Sequence, residues 1–210
     1  MIAESQYQDY FNFLITSRKD ACAEIVKTEL AKQTPIKEIY TGLFQRSMIE
    51  IGTLWEQNHI SVATEHMATA ITERLLHLVY PTLLQSSPTD RKAVIACCAD
   101  EYHQLGAKIT ADFFEGNGWD TIFLGANTPK HDLISMIDQQ RPDLIGLSLS
   151  IYHNLPKLID AIAAVHHDFP NLDILIGGQA FCHDGAEQCL ITPQVTHVDS
   201  LDTLEQLING

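Results

Sequence analysis

The stretch Asp100-Glu101-Tyr102-His103-Gln104-Leu105-Gly106 places a carboxylate two positions before a histidine and a glycine three positions after it. A neutral imidazole offers one ring nitrogen to a metal while the other carries the proton. A carboxylate that accepts that proton fixes the tautomer and raises the basicity of the ligating nitrogen. Glu101 and His103 suit this division of labour, with His103 as the metal ligand. Gly106 lets the backbone turn tightly or approach a bulky ligand. Taken alone, the pattern describes a solvated surface histidine equally well. Two further features stand at long range. Forty-one residues separate Gly106 from Ser148-Leu149-Ser150, and twenty-six separate Ser150 from Gly177-Gly178. Nearer the N-terminus, Trp55 is followed after nine residues by Glu65-His66. An aromatic face offers a large apolar area with little rotamer entropy to lose. An isolated tryptophan, however, is as readily explained as a core ring.

The elements that must position these residues change character near residues 86–91. Before that point apolar residues recur at three- and four-residue spacing, as in Ile36, Ile39, Leu43, Ile51 and Leu54, then Met67, Ile71, Leu75 and Leu78. Helices are expected at about 6–17, 19–32, 35–56 and 61–84, a four-helix bundle. Ser61, with Thr64 and Glu65 after it, is a helix start, and Pro81 is expected to kink or end the last helix. Beyond the linker, short apolar runs at 93–99, 121–124, 144–150 and 172–176 alternate with helical stretches, and a short fifth strand is expected at 196–198. The expected fold is α plus α/β, with domains at 1–87 and 91–210. The bundle is followed by a flavodoxin-like (Rossmann-like) doubly wound parallel sheet. In such a sheet ligands sit at the carboxyl ends of the strands, so the loops after Ala99, Leu124, Ser150 and Ile176 are the ones to inspect.

The formal charge of −14, from 13 basic against 27 acidic residues, argues against a surface that neutralises phosphates. Direct nucleic-acid binding and docking on acidic membranes are not expected. No apolar run reaches the length of a membrane span, and the first residues do not read as a signal peptide, so a cytoplasmic location is expected. The five cysteines form no CxxC pair, and Cys97 and Cys98 read as small buried hydrophobes. His183, beside Cys182, reads as loop chemistry. His131, His153, His166 and His167 read as solvated or helix-terminal, with His153 and Tyr152 placed to border a ligand after Ser150.

The long-range pattern resembles that of base-off, His-on cobalamin-binding domains, whose Asp-x-His-x-x-Gly, Ser-x-Leu and Gly-Gly elements stand at these spacings. Leu124-Gly125-Ala126-Asn127-Thr128-Pro129 also looks like that family. Glu101 departs from the usual Asp and Ser150 from the usual Leu. The resemblance implies that His103 is the lower axial ligand of cobalt. It also implies that the detached nucleotide tail passes residues Ser148, Ser150, Gly177 and Gly178, whose glycines keep that channel open. Trp55-x9-Glu65-His66 resembles the cap of the CarH-type adenosylcobalamin photoreceptors, MerR-type light-responsive regulators that also use Glu in the histidine loop. By that resemblance Trp55, Glu65 and His66 meet the upper adenosyl group. Glu56 stands where those proteins carry a second cobalt-capturing histidine, which puts a bis-histidine photoproduct in doubt; His59 is the one nearby substitute.

Adenosylcobalamin is the expected cofactor, with methylcobalamin and hydroxocobalamin as alternatives. With the first part of the chain given to the bundle, no DNA-binding winged helix is expected. The implied function is a stand-alone, light-responsive cobalamin sensor acting through a protein partner such as a transcription regulator; homo-oligomerisation is compatible with it. The alternative is a corrinoid methyl-carrier subunit of a methyltransferase system, and plain cobalamin storage or delivery is a third possibility. Catalysis by the protein's own side chains is not expected, since a bound cofactor carries the chemistry.

Overall fold

The three-and-four spacing of apolar residues in the first half folds into four helices. A computed structural model describes residues 2–84, 87–182 and 186–209, and the chain divides into two compact units, Met1–Leu84 and Gln85–Gly210. In the first unit α1 spans Glu4–Ile15 and α2 Lys19–Ala31. A third helix is continuous from α3 (Ile36–Ile39) through a π-helical stretch (Tyr40–Gln45) into α4 (Arg46–Glu56). The fourth, α5, spans Val62–Leu83. Tyr10, Leu14, Val26, Ile39, Leu43, Phe44, Ile51, Leu76 and Val79 are buried at the centre of this bundle. Each such side chain stabilises the fold by roughly 1.5–3 kcal/mol relative to exposure. Ser61 caps α5 as its sequence predicts, its Oγ accepting from the Thr64 N–H at 3.2 Å. Pro81 does not break α5. It lies in the last turn, two residues before the end, where the lost N–H costs a single bond.

The second unit alternates strand and helix: β1 (Lys92–Cys97), α6 (Leu105–Gly116), β2 (Asp120–Gly125), α7 (Lys130–Gln140), β3 (Leu144–Ser148) and α8 (Leu155–Asp168). It continues with β4 (Asp173–Gly177), α9 (Ala186–Cys189), β5 (Val195–His197) and α10 (Leu201–Asn209). The five strands are parallel in the order β2-β1-β3-β4-β5. That order is flavodoxin-like and reverses direction between β1 and β3, where a crevice opens at the carboxyl ends of the strands. β1 and β3 are buried on both faces beyond their first residue, as a sheet covered on two sides requires. Val94, Ala96, Ile145, Leu147, Ile174 and Ile176 pack with Leu133, Ile137, Leu158, Ile162 and Val165 of α7 and α8 in one core.

Two strands end earlier than the apolar runs suggest: β1 at Cys97 rather than Ala99, and β3 at Ser148 rather than Ser150. Beyond β3 the amides of Ser150 and Ile151 turn to a side chain instead of a neighbouring strand, and beyond β1 Asp100 takes a left-handed backbone. No described helix is long and apolar enough to cross a membrane.

Candidate functional site

Parallel pairing brings the separated motif residues together. Cys97 of β1 lies opposite Ser148 of β3, and Ser148 lies opposite Gly177 of β4. The spacings along the chain are therefore crossover lengths that return successive strands to one level at their carboxyl ends. The histidine loop leaves β1 at that level, in the crevice beside β3.

Glu101 is fully buried, at 0% exposure, while the His103 side chain is 46% exposed. The His103 ring Nδ1 lies 2.6 Å from Glu101 Oε1, and the His103 backbone N–H donates to the same oxygen at 2.9 Å. Oε2 accepts the backbone N–H groups of Ser150 and Ile151, each at 2.9 Å. Burial alone would raise the Glu101 carboxyl. The His103 ring and the Ile151, His103 and Ser150 amides outweigh it and hold the pKa down to about 2. A carboxylate can only accept, so the ring donates from Nδ1 and Nε2 becomes the lone-pair nitrogen that can bind a metal.

Among the described residues no group of three or more His, Cys, Asp or Glu side chains could hold a bare metal ion. One oriented imidazole suits a cobalt that arrives with its own macrocycle. Gly106 fits the same picture. It sits in the first turn of α6, and among the described residues a Cβ there would meet nothing within 4 Å, which leaves room for a ligand at the helix start. It does not form a tight turn, since its φ is not positive.

The Gly-Gly pair also has a reason within the protein itself. At Gly178, with φ of +117°, a Cβ would stand 2.2 Å from the Leu149 carbonyl oxygen. At Gly177 it would stand 3.0 Å from the Val198 carbonyl oxygen. The protein's own backbone is sufficient to demand glycine at 178. Ser148 is buried and Ser150 half-buried, and the part Ser150 plays toward Glu101 belongs to its backbone.

In the helical unit Trp55 is the second-last residue of α4 and is 39% exposed. Glu65 lies in the first turn of α5, the helix packed against α4. Its Oε1 accepts from the Thr69 hydroxyl at 2.8 Å and its Oε2 from His66 Nδ1 at 2.6 Å. Trp55 is thus not a core ring, and Glu65 and His66 form one hydrogen-bonded pair with the His66 side chain 72% exposed. Glu56 and His59 are exposed.

Cys97 and Cys98 are buried, as expected. Tyr152 and His153 are exposed, and the Tyr152 hydroxyl accepts from Gln188 Nε2 at 3.2 Å. His131 and His167 are solvated, whereas His166 is half-buried with its Nδ1 enclosed. His183 lies outside the described residues. Sequence reasoning missed the Ser150 and Ile151 amides, because backbone donors leave no signature in residue type. It also missed any role for Asn127, although the segment containing it had been singled out.

The chain is similar to two HTH-type transcriptional repressors of Myxococcus xanthus: CarA, 34% identical over 89 residues, and CarH, 26% identical over 161 residues. These matches cover 42% and 75% of this chain but 31% of CarA and 52% of CarH, so the chain spans about half of CarH or less of CarA. It is also similar to dimethylamine corrinoid protein 1 of Methanosarcina acetivorans, 26% identical over 187 residues and 85% of each chain. Its fold matches the structure of the Methanosarcina barkeri monomethylamine corrinoid protein, with a TM-score of 0.85, 14% identity and 99% of each chain covered. A B12 binding domain matches residues 91–198, more than half of the chain, and a second B12 binding domain matches residues 6–80. On these matches the chain belongs to the B12-binding domain family.

Proposed function

We propose that this cobalamin-binding module holds its cofactor base-off, with His103 Nε2 on cobalt, and that the helical unit senses the upper ligand for a partner protein. The observation that carries the first half is the Glu101–His103 pair. A buried carboxylate, fixed by three backbone amides, orients an exposed imidazole at the strand crossover point. When bound, cobalamin supplies a cobalt–carbon bond that light or a methyl acceptor can break. The chain's own residues hold, orient and shield. Glu101 keeps the Nδ1 proton on His103, and Gly106 leaves the start of α6 open.

The sensing half is supported by Trp55, Glu65 and His66. In this reading the exposed Trp55 ring packs on an adenosyl group, and Glu65 and His66 place its polar edge. A signal arises because loss of those contacts changes the relative stability of two states of the bundle. The residue-level likeness to CarH supports adenosylcobalamin and light as the trigger, with output through a partner such as a transcription regulator. The −14 charge supports output through protein rather than DNA. The side chains themselves perform no catalysis in this account.

A second reading, a corrinoid methyl carrier serving methyltransferases, is favoured by one observation. The dimethylamine corrinoid protein aligns over 85% of both chains, whereas CarH extends well beyond the match. One experiment separates them. Protein loaded with adenosylcobalamin in the dark is illuminated with green light, and its mass and compactness are followed by light scattering and small-angle scattering. A light-dependent change that Trp55→Ala abolishes supports the sensor. No change, together with tight methylcobalamin binding that tolerates Trp55→Ala, overturns it in favour of the carrier.

A further inference from the structure

Glu101 and His103 are anchored through Asp100, the residue that leads the chain into their loop. Asp100 adopts a left-handed backbone, with φ of 63°, a conformation that costs a non-glycine residue energy unless its surroundings hold it. Two asparagines do so from opposite sides. Asn127, in the loop after β2, accepts the Asp100 N–H through Oδ1 at 2.8 Å. Its own backbone N–H donates to the Glu101 carbonyl at 2.7 Å. Asn154, just before α8 in the connection from β3, is buried and donates from Nδ2 to the Asp100 carbonyl at 3.1 Å. Lys157, in the first turn of α8, pairs with the Asp100 carboxylate.

Because β2 and β3 flank β1 in the sheet, these partners reach the histidine loop from both neighbouring strands. Asn127 is itself left-handed, with φ of 49°, a conformation asparagine tolerates better than most residues.

We propose that Asn127 and Asn154 are positioning residues that clasp Asp100 across the strand crossover and so fix the direction of the His103 imidazole toward its metal. The proposal rests on the reading of His103 as the cobalt ligand, but its geometry can be tested without cofactor. The two asparagines act with opposite polarity, one as acceptor and one as donor, so the same substitution has opposite effects at the two positions. Asn127→Asp keeps the acceptor oxygen, whereas Asn154→Asp replaces the donor with a carboxylate facing a carbonyl. Asn127→Gly keeps the left-handed backbone and removes only the side-chain bond.

The cofactor-free readout is amide hydrogen exchange at His103, Ser150 and Ile151, whose N–H groups all point at Glu101. Exchange is expected to quicken about tenfold, the effect of one lost hydrogen bond, in Asn127→Gly and Asn154→Asp but not in Asn127→Asp. The second readout is the nitrogen coupling to cobalt in the electron paramagnetic resonance spectrum of protein reconstituted with cob(II)alamin. It should weaken or become heterogeneous in the first two variants and stay that of wild type in Asn127→Asp. If Asn127→Asp and Asn154→Asp behave alike, or Asn127→Gly leaves amide protection unchanged, the clasp is refuted. If wild-type protein shows no nitrogen coupling at all, the ligand reading fails, and the exchange data still decide the clasp.

Discussion

Replacing Glu101 with glutamine keeps the side chain's size but turns one acceptor oxygen into a donor. Oε1 accepts two N–H groups of His103, and Oε2 accepts those of Ser150 and Ile151. With the NH2 toward Ser150 and Ile151 two amides lack an acceptor; with it toward His103 the ring can switch tautomer and accept, and only the His103 backbone N–H is left unpaired. A buried donor left unpaired costs about 1–3 kcal/mol, and the amide settles in the orientation that leaves one. Proton linkage expresses the same four hydrogen bonds in another form. The carboxyl is held at about 2 against an ordinary 4.5, and at 1.36 kcal/mol per pH unit this difference is worth about 3 kcal/mol. The two figures overlap at about 3 kcal/mol, the upper end of the first and a large share of the roughly 5–15 kcal/mol that keeps a domain folded.

The assay is urea unfolding of Glu101→Gln in a Trp55→Phe background. There Trp119, stacked edge-on against Phe114 in the sheet unit, is the remaining tryptophan. The account expects a loss of about 3 kcal/mol at pH 7. The sign with pH follows from the lowered pKa. The contribution is fully present above about pH 4.5 and fades as pH falls toward 2, so the gap between wild type and variant should narrow across that window. A loss below about 1 kcal/mol at pH 7, or a gap that widens on acidification, would refute the reasoning.

The glycines give a paired test. Gly178→Ala drives a Cβ to 2.2 Å from the Leu149 carbonyl at a φ of +117°, and it should destabilise the sheet unit by about 3 kcal/mol or more in the same unfolding assay. Among the described residues Gly106→Ala meets no atom within 4 Å beyond its own helix turn, so it should leave unfolding unchanged or slightly improved while weakening cobalamin binding measured by titration. Thiol reactivity is a further check. Burial pushes the Cys97 and Cys98 thiols up to about 12 and those of Cys22 and Cys189 up to about 11, so brief iodoacetamide treatment of native protein at pH 8 should label Cys182 alone, as read by peptide mass spectrometry.

The bundle was legible because its apolar positions repeat at helical spacing. Even the Ser61 cap showed, since capping depends on a side-chain type at a fixed offset. The parallel sheet followed from short apolar runs separated by crossover-length segments, and the Cys97, Ser148 and Gly177 alignment explains why the motif spacings mean anything. Glu101 and His103 stood out because side-chain chemistry is written in residue identity. The strand ends were misplaced because the Leu149–Ser150 segment is as apolar as a strand, and its departure is dictated by where amides point. Gly178 was recognised, but its clash with Leu149 was not, because it depends on where the backbone runs. The π-helical stretch at Tyr40–Gln45 breaks no apolar pattern; Gly42 within it lowers helix propensity but does not tell a π-helical turn from an α-helical one.

The most direct test of the central claim is a titration of cobalamin into wild-type protein and His103→Ala, followed by its ultraviolet–visible spectrum in the dark. The account predicts a base-off, His-on spectrum for wild type and its loss in His103→Ala, with the sheet unit still folded by circular dichroism. Identical spectra for the two proteins, or no binding by wild type, would contradict the assignment of His103 as the cobalt ligand.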